Sequence, residues 1–235
     1  MEDMGVTICS HTICKNSQPF IDLVLRQAIP HVNRMFITIS EKSTDGTIDV
    51  VRKIEKEFKD KVRLDFENVV TPGELTQVRQ NQLNHTYEDW VWFLDDDDYW
   101  PTKSIEAVIE LLNKEEDVDG YSFTPFQMVD QKHYDLSWTD KSFTKFFKYQ
   151  DGVHYRHPWP RDLIYKGDSV LYWKKNKRVP RVPIRFLHLS NIKDSSFRDE
   201  EWADKFKKDY GALMEYPEEI MEEVWKIYDT KNPHR

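Results

Sequence analysis

Five apolar residues, Trp90-Val-Trp-Phe-Leu94, run straight into four consecutive aspartates, Asp95–Asp98. A continuous apolar run of this length predicts a strand covered on both faces, as in a parallel sheet packed between helices. Carboxylates directly after it fall at the carboxyl edge of the sheet, where open α/β sheets hold their ligands. If the chain stays extended, Asp95 and Asp97 face one side and Asp96 and Asp98 the other. Two carboxylates about 4 Å apart repel by roughly 4 kcal/mol at an effective dielectric of about 20. Such a pair needs a shared proton or a divalent cation.

Three plainer readings compete. A solvated acidic loop is less expected of a run joined directly to an apolar strand. A calcium loop starting at Asp95 would place Gly at its sixth position, which is Trp100. A strand-borne Asp-x-Asp phosphatase would carry Thr or Val where Tyr99 stands, and would have this strand first rather than about fourth.

The preceding chain alternates. Val6–Cys9, Met35–Ile39 and Val62–Phe66 read as strands. Pro19–Ile29, Thr47–Phe58 and Thr102–Asn113 read as amphipathic helices, as does the segment after Thr71, where Thr71, Pro72 and Glu74 form a helix start. Asp45 before Gly46-Thr47 predicts a cap for the second helix. Alternating strands and helices predict a mostly parallel α/β sheet. Further on, Gly120–Val129 and Ile184–Leu189 read as strands, and Leu163–Lys166 with Val170–Trp173 as a hairpin around Gly167-Asp168. Two helices, Arg198–Tyr210 and Pro217–Asp229, are expected last. With no repeat and no low-complexity linker, residues 1–235 read as one domain with halves 1–115 and 116–235.

Composition narrows the function. Lys and Arg number 34 against 42 Asp and Glu, so the net charge of −8 argues against a surface built wholly to grip nucleic acid or anionic lipid. Two cysteines, Cys9 and Cys14, exclude a disulfide framework and a Cys-rich zinc module. No apolar run approaches the ~20 residues that span a bilayer. Met1-Glu2-Asp3 lacks the basic and apolar regions of a signal peptide, so a cytoplasmic protein is expected. Seven glycines are too few for several phosphate-cradling loops, so phosphate handling would fall to charges or a metal.

Four segments, in their order and spacing over roughly Val6 to Pro101, resemble the GT-A glycosyltransferases, most closely the family 2 group. They are Val6-Thr-Ile-Cys-Ser-His11, Ile37-Thr-Ile-Ser-Glu-Lys-Ser-Thr-Asp-Gly-Thr47, Val78-Arg79-Gln80-Asn81 and Phe93-Leu-Asp-Asp-Asp-Asp-Tyr-Trp-Pro101. The resemblance implies a Rossmann-like, mostly parallel sheet flanked by helices, with a smaller acceptor-side β region and C-terminal helices. It implies metal-dependent transfer from a nucleoside-diphosphate sugar, a uridine diphosphate sugar foremost, to the hydroxyl of a glycan or other acceptor. A nucleic-acid acceptor is compatible with it but not indicated.

The resemblance also implies roles. Ser10, His11 and Glu41, which stands where the family has Asp, would contact the donor base. Asp95 would face the ribose, Asp97 would hold the metal, and Asp96 would be its substitute on the donor side. His188, late in the chain, would be a further metal ligand, against the alternative of a core histidine. Imidazole beside carboxylate favours Mn²⁺ over Mg²⁺. Arg79 shares a helix face with Leu75 and Leu83, so it must snorkel or meet a negative partner, either a donor phosphate or ribose or a sheet-edge Asp.

In Tyr155-Arg-His-Pro-Trp-Pro-Arg161-Asp162, Arg161 is a candidate for donor phosphate and Asp162 for the base of an inverting transfer, ahead of Asp151 and Asp168. A retaining mechanism would need no such base. The basic residues from Lys174 to Arg185 read as a solvated turn or a contact for an anionic acceptor. The rival functions are a nucleotidyltransferase or phosphatase with a metal-bearing strand end, and a non-catalytic nucleotide- or carbohydrate-binding module.

Overall fold

The structure, a computed structural model, describes residues 5–18, 20–68, 72–114, 117–128, 133–156, 163–167, 169–170, 178–190 and 213–215. The first half alternates as its patterning predicts: β1 (Ile8–Cys14), α1 (Ile21–Ala28), β2 (Arg34–Ser40), α2 (Thr47–Glu57), β3 (Val62–Glu67), α3 (Pro72–Asn84), β4 (Trp90–Phe93). Then follow β5 (Asp98–Tyr99), α4 (Thr102–Leu112), β6 (Gly120–Gln127), β7 (His133–Asp135), β8 (Phe143–Lys148), β9 (Val153–Arg156), β10 (Leu163–Lys166), β11 (Ser169–Val170), β12 (Arg181–His188) and β13 (Leu213–Glu215).

Eight strands form one sheet in the order β3-β2-β1-β4-β8-β6-β12-β5. Six run one way, and β8 and β5 run against them. The connectivity forces this sheet to curl. β4 and β5 are separated only by residues 94–97, yet they stand fourth and eighth in the order. Four strand spacings of about 4.8 Å would part them by roughly 19 Å in a flat sheet. The chain from Phe93 to Asp98 reaches no more than about 17 Å even fully extended. The sheet therefore bends until β5 comes round towards β4, and the aspartate run closes the bend.

Aromatic packing fills the curl. Trp100 stacks on Phe186 at 4.7 Å and meets Phe123 edge-on at 5.0 Å, while Trp92 stacks on Phe146 at 5.0 Å. Val24 and Leu25 of α1 and Ile105 and Val108 of α4 join the same core. The opposite face carries a smaller cluster in which Leu83 of α3 and Val91 of β4 pack with Phe147, Val153, Tyr155 and Ile164. β4 is thus covered on both faces, as its unbroken apolar run predicts. The hairpin also forms: β10 pairs with β11 around Gly167, whose φ of +58° suits a residue without Cβ.

Two expectations need correcting. β1 extends to Cys14, because Ser10, His11 and Thr12 continue the strand as buried residues instead of opening a loop. β12 starts at Arg181 instead of Ile184, so Arg181 stands on a strand and not in a turn, while Arg185 falls in the strand expected there. β8, central in the sheet, carries no recognisable sequence signal. Thr71, Arg161, Asp162, Asp168, residues 171–177 and the helices expected at 198–210 and 217–229 lie outside the described residues. Among the described residues, no helix is long and apolar enough to cross a membrane.

His11 shows what the longer strand costs. Its ring is 2% exposed, with Nε2 2.8 Å from the Thr86 hydroxyl and the ring edge-on to Phe36. Burial, assisted by the charges of Arg79 and Arg34, pushes the imidazole down to about 3. In the unfolded chain it titrates near about 6.5. Between these values only the unfolded chain binds the proton, so folding weakens as the pH falls, by about 1.4 kcal/mol per pH unit for this group. Urea denaturation of His11→Gln should show a shallower loss of stability from about pH 6.5 to 4.5 than the unsubstituted chain. Parallel profiles would contradict the burial of a neutral His11.

Candidate active site

The aspartate run is a turn, not an extended strand. The Asp98 N–H donates to the Asp95 carbonyl at 3.1 Å, and β5 begins at Asp98. The turn breaks the alternation of a pleated strand and brings Asp95 and Asp98 to the same ammonium. Asp95 faces Lys145 of β8, with Nζ to Oδ2 at 2.6 Å, and Arg79 of α3 at 3.5 Å. Asp96 accepts a hydrogen bond from the Ser17 hydroxyl in the loop after β1. Asp98, fully buried, contacts Lys145 at 2.5 Å through Oδ2 and the Nδ1 of His188 at 2.8 Å through Oδ1. Asp97 Oδ1 lies 3.4 Å from the same Nδ1.

Strand register makes the last two contacts. β12 and β5 pair antiparallel with His188 opposite Asp98, and the Leu189 N–H donates to the Asp97 carbonyl at 2.8 Å. Two residues 90 positions apart in sequence thereby become direct neighbours. Ligand atoms of Asp97, Asp98 and His188 all lie within 4.8 Å of one another, a spacing that could hold a metal ion. Two carboxylates and an imidazole form a donor set suited to Mn²⁺.

Electrostatics fix the protonation states. Burial alone would lower the Lys145 ammonium, but Asp95 and Asp98 reverse this and hold it above its ordinary value. Burial would raise Asp95, yet Lys145 and then Arg79 hold it well below the usual carboxylate range. His188 follows the same logic: burial lowers it, while the charge of Asp97 and the hydrogen bond from Nδ1–H to Asp98 win, so it rises. A positive charge is thus favoured where a cation would sit.

Arg79 lies over the Phe93 ring at 3.7 Å and beside Asp95, so of its two expected partners the sheet-edge Asp is present. Asp45 caps α2 as anticipated, its Oδ1 accepting from the Thr47 N–H at 2.9 Å. Glu41 stands exposed after β2, its N–H donating to the Glu67 carbonyl at 3.1 Å. Beside that edge an open cavity of about 290 Å³ is lined by Glu67, Asn68, Glu74, Gln77, Val78 and Asn81.

Ser10 and His11 do not join this group. They are sealed inside β1, because the polar stretch that reads as a loop is a strand interior. Two residues of the site escape sequence reading. Lys145 sits in a strand with no clean periodicity, and Asp98 points towards His188 only because the run turns. The signal for Asp98 was its place directly before Tyr99-Trp100-Pro101, where a buried aromatic pair resumes the sheet.

A family model for glycosyl transferase family 2 matches residues 7–166. Among curated proteins, none matches the chain. Among solved structures, the chain is similar to S. aureus TarS 1-349 at a TM-score of 0.53 and 16% identity, over 77% of this chain and 60% of that one. It is similar to a longer S. aureus TarS structure at a TM-score of 0.53 and 15% identity, over 77% of this chain and 36% of that one. This chain therefore spans less than two thirds of either TarS chain, and at these identities the likeness is one of fold. A mannosyltransferase from Pyrobaculum calidifontis, in complex with GDP-Man and Mn²⁺, aligns at a TM-score of 0.42 and 19% identity over 54% of this chain and 37% of that one, too little to bear on the site.

Lys145 is 4% exposed and Asp98 fully buried, so removing the ammonium leaves Asp98 buried with only His188 as a cationic partner. Breaking a buried pair in this way costs about 3–5 kcal/mol. Lys145→Met should lose stability on that scale in urea denaturation, and adding Asp98→Asn to it should restore part of the loss. A Lys145→Met chain as stable as the parent would show that the cluster does not hold the turn.

Proposed function

This chain belongs to glycosyl transferase family 2 and has the GT-A fold, and we propose that it is a glycosyltransferase that moves a sugar from a nucleoside-diphosphate sugar to an acceptor hydroxyl with the help of a divalent cation. The observation that carries this reading is the convergence of Asp97, Asp98 and His188 at the carboxyl edge of the sheet. These three residues would hold Mn²⁺, or Mg²⁺ in its place. Bound there, the ion would offset the charge that develops on the departing diphosphate.

The chain's own groups do the rest. Lys145 holds Asp95 and Asp98 in place, which keeps the turn in the shape that sets Asp97 beside His188. Arg79, whose guanidinium lies over the Phe93 ring beside Asp95, is assigned to a donor phosphate or ribose. Asp95 is assigned to the ribose, with Asp96 beside it on the donor side. The cavity between β3 and α3, with Glu41 at its edge, is the place for the base, and a uridine diphosphate sugar is the expected donor. Ser10 and His11 lie too deep to touch it.

Arg161 is assigned to the donor diphosphate and Asp162 to taking the proton from the acceptor hydroxyl as it attacks the anomeric carbon. In this reading the chain is one domain, with residues 1–115 holding the donor and 116–235 building the side that receives a glycan or other hydroxyl-bearing acceptor.

A thermal-shift series over nucleoside diphosphates and nucleotide sugars, with and without Mn²⁺, tests the reading. One nucleotide should stabilise the protein only with the metal, by about 2.7 kcal/mol at a hundredfold excess over its Kd. Turnover should release a nucleoside diphosphate, and Asp97→Ala should lower kcat/KM by on the order of 100-fold or more. Release of pyrophosphate would make the chain a nucleotidyltransferase, and release of free phosphate a phosphatase. Metal-independent binding that survives Asp97→Ala, without turnover, would leave only a binding module.

A further inference from the structure

A second polar feature lies about three residues back along β12 from His188, roughly 10 Å at 3.3 Å per residue. β6 and β12 run parallel with Thr124 opposite Arg185, and the register shifts between Arg181 and Arg185. That irregularity opens a shallow cavity of about 310 Å³ lined by Thr124, Arg181, Val182, Pro183 and Arg185. Two buried atoms at it lack a hydrogen-bond partner among the described residues: the hydroxyl of Thr124, a side chain 2% exposed, and Nη1 of Arg185.

Neighbouring cations are differently placed. Arg178 is occupied by Asp117 at 2.6 Å and Asp119 at 2.9 Å. Arg181 gives Nη2 to the Thr139 carbonyl at 2.5 Å, which anchors it at the rim. Arg185 lays its guanidinium over the Phe126 ring at 4.7 Å. An aromatic ring covers one face of the guanidinium plane, while the N–H donors point outward within that plane. A buried donor with no acceptor is costly, and the cost disappears when a ligand brings the acceptor with it. Two guanidinium groups and a hydroxyl around one open depression make a cationic, donor-rich lining, which suits an oxyanion better than a neutral sugar.

We propose that this depression is a binding site for a phosphoryl group, held by the Arg185 fork and the Thr124 hydroxyl with Arg181 supplying charge from the rim. The unbroken register from Arg185 to His188 puts these two side chains on opposite faces of β12, so the depression is separate from the carboxylate cluster, and the phosphoryl group it takes is one borne on a phosphodiester. Free phosphate offers the same chemistry, so the test separates the two.

Inorganic phosphate and dimethyl phosphate are titrated in turn into ¹⁵N-labelled full chain with EDTA present, so that neither metal nor donor takes part. Both anions are expected to shift the amides around Thr124 and Arg185 saturably. Tighter binding of the diester supports a phosphodiester-borne group, and tighter binding of inorganic phosphate supports a free-phosphate site. Arg185→Met should weaken binding about tenfold or more, the loss expected for a charged hydrogen bond. Arg185→Lys and Thr124→Val, which disturb packing less, should weaken it in part, while Asp97→Ala should leave it unchanged. Undiminished binding in Arg185→Met and Arg185→Lys, or no shift at these amides in the unsubstituted chain, would overturn the proposal. Because metal and donor are excluded, that failure is separate from any failure of glycosyl transfer.

Discussion

The ammonium of Lys145 organises the site. A lysine with so little exposure is tolerable only beside negative charge, and the fold supplies it from both ends of one turn, Asp95 and Asp98. The same contact tolerates the carboxylates: two aspartates three positions apart, bent towards each other, would otherwise repel in a poorly solvated setting. Lys145 therefore acts as an internal cation that ties β8 to the residues joining β4 to β5. Arg79 adds a second positive charge from α3 on the Asp95 side. With Asp95 and Asp98 pinned in this way, Asp97 is set against β12 and beside His188.

The curled sheet is what brings these groups together. β4 and β8 are direct neighbours in the sheet, and β12, two strands beyond β8, meets the aspartate run through its pairing with β5. Trp100 follows β5 and fills the inside of the curl against Phe186, one residue before Leu187 and two before His188. Core packing and site geometry are thus linked along a few residues of β12. Phe186 locks the strand to the hydrophobic interior, and His188 extends past it to the carboxylates. The aromatic richness of the chain serves this packing first: Trp92 and Trp100 are both 1% exposed.

The sequence made the scaffold legible where each element has one dominant periodicity. The parallel half of the sheet, its helices, the Asp45 cap and the Gly167 hairpin all follow from local patterning. So did the placement of an acidic run at the end of a doubly covered strand, and a negative partner for Arg79. The rest failed for identifiable reasons. Phe143-Thr-Lys-Phe-Phe-Lys148 is covered on both faces and carries a lysine at a buried position, so neither alternation nor a continuous apolar run marks it as a strand. Ser10, His11 and Thr12 are polar side chains that find partners or space inside a strand, which local polarity cannot distinguish from a loop. Asp98 was set on the wrong side because period-two reasoning holds for an extended chain, and one hydrogen bond from its N–H to Asp95 turns the run instead. Its pairing with His188 is a tertiary register with no local trace.

A crystal of the full chain grown with Mn²⁺ and a nucleoside diphosphate, with diffraction collected at the manganese absorption edge, addresses the central claim most directly. The structure predicts an anomalous peak among Asp97, Asp98 and His188, with the Lys145 side chain still seated between Asp95 and Asp98. A peak held by Asp95 and Asp96 instead, or one that requires Lys145 to leave the cluster, would contradict it.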